Sequence, residues 1–157
     1  MRLLIAALLL LTAACVQEPS VPKLGGGAVE LKVAASADQI HVGEADTITV
    51  TAINNLDQQV RILFAVDPTC QILVYVQTSS ARTVVPERDY SCIPIQSQLV
   101  IPSTGSVNRK FVWRGDTMLD PPGSESHLPA GDYYVTAIMR ADGFTVPAFS
   151  TKVTLLP

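Results

Sequence analysis

Hydrophobic and polar residues alternate one for one over most of this chain. In Asp46 to Asn54, Ile48, Val50 and Ala52 fall on one face, and Thr47, Thr49 and Thr51 on the other. Val29, Leu31 and Val33 alternate with Glu30 and Lys32 ahead of them. Val60, Ile62, Phe64 and Val66 follow an Asn54-Asn55-Leu56-Asp57 turn. Val107 to Arg114 places Phe111 and Trp113 on one face, and Tyr133 to Arg140 and Phe149 to Leu155 continue the pattern. Cys70 to Gln77, apolar on both faces, and Gln98 to Ile101 add two shorter runs. Alternate side chains point to opposite faces of a strand, so a period of two is the signature of half-buried β-structure. No 3.6-residue stripe competes with it beyond the first fourteen residues. Residues 28–157 are therefore expected to form an all-β domain, an immunoglobulin-like antiparallel β-sandwich of about seven to nine strands punctuated by Pro, Gly, Asn and Asp.

The first fourteen residues follow a different grammar. Met1-Arg2 carries a positive charge, Leu3 to Leu11 is continuously apolar, and Thr12-Ala13-Ala14 are small residues before Cys15. The apolar run is far short of the roughly 20 residues a spanning helix needs. Together these features describe a secretory signal, residues 1–14, with a helical apolar segment. The cysteine closing the pattern resembles a bacterial lipobox, with Thr12 where the usual leucine stands. That resemblance implies cleavage before Cys15 and acylation of its thiol by diacylglyceryl and palmitate-type chains. Two or three chains, at about 0.8 kcal/mol per buried methylene, anchor stably. The membrane is thus one expected partner, through Cys15, and an envelope protein the other. Val16 is not the aspartate that retains lipoproteins at an inner membrane, so in a two-membrane cell the expected address is the outer membrane, facing the periplasm. Residues 15–27 then form a tether. Val16 to Gly27, VQEPSVPKLGGG, combines stiff prolines with a glycine swivel.

Composition narrows the function by exclusion. The chain has 157 residues, room for one domain plus appendages. Its formal charge of −3 becomes −4 once Arg2 is removed. Lys and Arg are scattered singly apart from Arg109-Lys110, which argues against nucleic acid, whose phosphates demand a clustered basic face. Aromatic residues, at 6%, are too sparse for a base-stacking or sugar platform.

Two local features carry structure rather than catalysis. Leu128-Pro-Ala-Gly-Asp-Tyr-Tyr-Val135 has the spacing of a tyrosine corner, in which a Tyr hydroxyl bonds back to the backbone at a strand entrance. Tyr133 is read as that tyrosine, with Val135 inward. Cys70 and Cys92 remain once Cys15 is assigned to lipid, and two cysteines of an exported chain are expected to pair. Such a bridge would pin Thr78 to Ser91, which holds Arg82 and Arg88. A metal centre would need further ligands, and His41 and His127 stand at no ligand spacing. A thiolate nucleophile would need a partnered base and a reducing setting.

Two common hydrolase motifs are missing from the sequence: neither G-x-S-x-G nor H-E-x-x-H occurs. Ser124-Glu125-Ser126-His127 holds reactive residue types, but it follows Asp120-Pro121-Pro122-Gly123 and reads as a solvated loop. Gly25-Gly26-Gly27 lacks the preceding strand and following helix of a phosphate cradle. The expectation is a nonenzymatic module with no cofactor and no metal.

From Thr47 onward the order of features resembles the BsuPI domain, named for an intracellular proteinase inhibitor of bacilli. The strand ending Ile53-Asn54-Asn55, the strand Val60-Arg-Ile-Leu-Phe64, the run Gln71 to Val76, Phe111-Val-Trp113, and Leu128-Pro-Ala-Gly-Asp-Tyr133 leading to Val135-Thr-Ala137 carry the likeness. The Cys70, Cys92 pair and the long polar insert Gly115 to His127 depart from that pattern. The resemblance implies a sandwich fold and, as an alternative to a binding or structural module, a proteinase inhibitor acting through an exposed loop. Arg82 and Arg88 mark the first candidate loop, and Gly115 to His127 the second. An open sheet edge that captures a client strand is a third reading.

Overall fold

A computed structural model describes residues 27–85, 92–117 and 126–157. Residues 1–26, which hold the expected signal, Cys15 and most of the expected tether, lie outside these residues, as does Arg88. The described chain is built of strands joined by turns, with one 3-10 turn. Eight strands have five or more residues: β1 (Val29–Ala35), β3 (Asp46–Asn54), β4 (Val60–Phe64), β5 (Ile72–Thr78), β7 (Ser97–Ile101), β8 (Ser106–Trp113), β9 (Gly131–Ala141) and β11 (Thr151–Leu156). Three short strands join them: β2 (Gln39–His41), β6 (Thr83–Val85) and β10 (Phe144–Pro147). Sequence alternation finds the eight long strands and misses the three short ones, which span too few residues to display a period.

β3 occupies the span its alternation predicts, and it is buried at every second residue from Asp46 to Asn54. It pairs with β1 on one side and β8 on the other, both antiparallel. The second sheet runs β2-β11-β9-β5-β6, with β10 also against β9. β4 and β7 form a two-stranded ribbon. Among the described strands, β2 departs from the antiparallel expectation by lying parallel to β11. A parallel neighbour so far away in sequence leaves no local signal to read.

The inward faces meet in one contiguous core. β3 contributes Ile48, Val50 and Ala52, β5 Ile72, Val74 and Val76, β9 Val135, Ala137 and Met139, and β11 Val153 and Leu155. The ribbon adds Val60, Ile62, Phe64, Leu99 and Ile101 to the same cluster. Each such aliphatic side chain stabilises the fold by about 1.5–3 kcal/mol relative to exposure. The structure is thus the all-β sandwich expected from the period-two pattern.

Two local details differ from expectation. Cys70 does not begin a strand; it ends the 3-10 turn Pro68–Cys70, capped by Asp67. Phe149 sits in the break between β10 and β11, where it is 82% exposed rather than strand-bound.

Polar residues close the ends of the sandwich. Asn54, fully buried at the end of β3, donates through Nδ2 to the carbonyls of Gln58 and Pro102, each at 2.8 Å. Its Oδ1 accepts from Leu56 N–H at 3.0 Å. One side chain thereby ties the β3–β4 turn to the β7–β8 connection. The incoming chain reaches the sandwich at this same end, because Asn55 N–H donates to the carbonyl of Ala28 and Asn55 Nδ2 to that of Gly27.

Candidate functional site

The end of the sandwich opposite that entry gathers the candidate loops. Antiparallel register places the end of β5 beside the start of β9, with Thr78 against Tyr133. β11 finishes at the same level, with Leu155 against Gly131, and β2 beside it, with Leu156 against His41. β8 ends there too, because Trp113 faces Asp46 at the start of β3.

Tyr133 organises this end. Its hydroxyl donates to the carbonyl of Pro129 at 2.8 Å, completing the tyrosine corner. Burial pushes the phenol above its usual pKa, with the nearby Arg82 charge opposing. A phenol so held is a structural donor rather than an acid at neutral pH. Trp113, fully buried, meets the Tyr133 ring edge-on at 6.0 Å and donates Nε1–H to the carbonyl of Asp116 at 2.9 Å.

The described ends of the Gly115–His127 segment, residues 115–117 and 126–127, are bound together at this base. Leu128 N–H donates to Gly115 O at 2.7 Å and Thr117 N–H to Ser126 O at 3.0 Å. The buried carboxylate of Asp116 lies 2.6 Å from Nδ1 of the half-exposed His127. His127, read from the sequence as part of a solvated loop, thus has a fixed partner eleven residues away. Ser126 is exposed, and Ser124 and Glu125 lie outside the described residues. Gly115 makes the turn possible. Its φ of +74° suits glycine, and an added Cβ would sit 3.0 Å from Cδ1 of Leu155.

Arg82 stands at the tip of the β5–β6 hairpin. Thr78 N–H donates to Arg82 O and Ala81 N–H to Thr78 O, both at 2.9 Å, while Ala81 takes a left-handed φ of 60°. The tip is exposed. The described parts of the two candidate loops, read from the sequence as alternatives, therefore share one end of the sandwich. Nearby surface charges are internally paired: Lys152 Nζ lies 2.9 Å from Asp132 Oδ2, and Thr154 Oγ1 donates to Asp132 Oδ1 at 2.7 Å. That pairing lowers the Asp132 pKa and raises that of Lys152. His41 Nδ1 lies 2.7 Å from the carbonyl of Pro157. Asp46 caps the preceding loop, its Oδ1 accepting from Ser36 N–H at 2.9 Å and Ala37 N–H at 3.2 Å.

Cys70 and Cys92 are joined in a disulfide. The closed loop contains β5 and the β5–β6 hairpin, so the bridge lies at one end of β5 and Arg82 at the other. Seven residues of strand separate them by roughly 23 Å. The hairpin hydrogen bonds hold the Arg82 tip, whereas the bridge secures the far end. Beside the bridge, Asp67 accepts from Thr69 N–H and Oγ1–H and from Ile93 N–H. These bonds, led by that from the Thr69 hydroxyl, hold its carboxyl below the usual range against the opposing effect of burial. Sequence reasoning overlooked Asp67 because its partners come from two separate segments.

No known family profile matches this chain, and no curated protein matches it in sequence. Among solved structures it is similar to a β-glucosidase of Erythrobacter marinus, at 12% identity and TM-score 0.45, over 82% of this chain and 15% of that one. It is also similar to the sporulation control protein Spo0M of Bacillus subtilis, at 10% identity and TM-score 0.48, over 83% of this chain and 50% of that one. The C-terminal domain of wzt matches at 8% identity and TM-score 0.48, over 85% of this chain and 77% of that one. The chain spans well under a third of the glucosidase and half of Spo0M. Likenesses this distant carry no activity across.

Proposed function

We propose that this chain is a membrane-anchored envelope lipoprotein whose sandwich binds a protein partner, without catalysis, through the loops at its anchor-distal end. The observation that carries the reading is geometric. The chain enters the sandwich beside Asn54 and Asn55, while Arg82, Asp116 and His127 lie at the opposite end, beyond the full length of β3. A tether attached at the entry end leaves the loops pointing away from the surface that holds Cys15. Loops carried on a rigid scaffold are the usual seat of recognition in sandwich domains. The Trp113–Tyr133 base and the Asp116–His127 latch reduce the ordering cost of binding at this end.

Site-specific photo-crosslinking in cells tests the reading. Crosslinkers at Arg82 and Ser126 are expected to capture a common partner, and one at Asp57, by the chain entry, is not. Capture from Asp57 alone, or from none of the three, contradicts it.

A second reading rests on the exposed arginine at a hydrogen-bonded hairpin tip, a shape suited to the cleft of a trypsin-like protease. The protein would then act as an inhibitor in the manner of the BsuPI resemblance. Stoichiometric inhibition of such a protease, lost in Arg82→Ala, is its distinguishing outcome.

A further inference from the structure

The disulfide lies within a set of groups that its own removal would leave in place. The Asp67 carboxylate and the sulfurs of Cys70 and Cys92 all lie within 4.8 Å of one another. Backbone bonds hold the two segments together independently of the bridge: Asp67 N–H donates to Ile93 O at 3.1 Å, and Ile93 N–H donates to Asp67 Oδ2 at 2.9 Å. Cys70 N–H donates to Asp67 O at 3.1 Å within the capped turn. The residue after Cys92 and the turn ending at Cys70 are thus clamped to each other without the sulfurs. Opening the bridge would leave two thiols and a carboxylate facing one another.

We propose that, once reduced, Cys70, Cys92 and Asp67 hold one thiophilic divalent cation of the zinc class, so that disulfide and metal are alternative occupants of one junction. The Cα atoms of Cys70 and Cys92, 5.9 Å apart, leave room for the freed sulfurs to part to the roughly 3.7 Å that tetrahedral ligands about 2.3 Å from a zinc ion keep. Asp67 Oδ2 has two lone pairs and spends one on Ile93 N–H, leaving the other for a cation. Cys70 is buried and Cys92 is partly exposed, so the ion enters from the Cys92 side and water completes its shell. Reduction is by a dithiol. It gives two electrons and two protons, the protein S–S bond becomes two thiols, and the dithiol closes to its own disulfide. Binding then releases both thiol protons as the two metal–thiolate bonds form.

The test uses the full chain carrying Cys15→Ser, so that Cys70 and Cys92 are the only thiols. Cobalt(II) serves as the probe, added to oxidised and dithiol-reduced protein after the reductant is removed anaerobically. Reduced protein is expected to bind one equivalent, with thiolate-to-cobalt charge-transfer absorption that zinc(II) abolishes. Oxidised protein is expected to bind none. Asp67→Asn is expected to weaken cobalt binding at least tenfold. Absence of the band in reduced protein, equal binding by oxidised protein, or unchanged affinity in Asp67→Asn overturns the proposal. Should Asp67→Asn fail to fold, X-ray absorption of the zinc-loaded Cys15→Ser chain decides. Two sulfurs with oxygen ligands support the site, and a shell with fewer than two sulfurs overturns it.

Discussion

The Trp113 ring meets the Tyr133 ring edge-on, with centroids 6.0 Å apart and planes 75° from parallel, and this contact joins the end of β8 to the start of β9. An aromatic edge set against a ring face is favourable beyond the area buried. Both rings also spend their polar hydrogens on loop carbonyls, those of Asp116 and Pro129. Tyr133→Phe keeps the ring and removes only the hydroxyl bond, so urea unfolding should show a loss of about 1 kcal/mol. Trp113→Ala empties a fully buried site and should cost about 3–5 kcal/mol. Equal losses for the two would show that the hydroxyl, rather than packing, dominates this end.

Gly115 is held at a positive φ with Leu155 against the face where a side chain would grow. Gly115→Ala adds both backbone strain and overpacking, and a destabilisation of about 2 kcal/mol is expected. Gly143 also has a positive φ but has open space around it. Gly143→Ala should therefore cost less, and a urea series on the pair separates the two contributions.

Protonation of Asp67 should weaken the fold in acid. Its folded pKa lies below the ordinary aspartate value, chiefly through the Thr69 hydroxyl bond. The ionised form is therefore favoured by folding. The stability it contributes is full above the unfolded pKa and is lost as pH falls through the folded one. Thermal unfolding of the wild type should drop below about pH 4, and Asp67→Asn should flatten that part of the profile. An unchanged profile in the variant would place the acid sensitivity elsewhere.

Reduction of the Cys70–Cys92 bridge, 22 residues apart in sequence, should lower stability by roughly 3 kcal/mol in metal-free buffer, by releasing loop entropy in the unfolded chain. The Asp67–Ile93 clamp should keep the reduced domain folded. Comparison of urea midpoints with and without a dithiol measures the difference.

The pattern of side chains foretells much of this fold because the long strands each bury one face. The ends of β3 could be read to the residue, since Asp46 and Asn54 continue its alternation while turning polar. The tyrosine corner was equally legible, as its geometry depends on spacing within eight residues. β2, β6 and β10 escaped notice because three or four residues cannot establish a period, and β2 is positioned only by its distant parallel partner β11. Phe149 departs from the reading for a related reason: local alternation runs on through the break between β10 and β11, which no local signal marks. The Asp116–His127 and Asp67–Ile93 pairings depend on chain segments meeting in space, and no spacing rule announces them.

The central claim is that Cys15 carries the lipid from which the sandwich hangs. Mass spectrometry of the N-terminal peptide from protein purified out of its native membrane tests it most directly. A peptide beginning at residue 15 and heavier by the mass of two or three acyl chains is predicted. An intact leader, or an unmodified sulfur at that residue, would contradict the account.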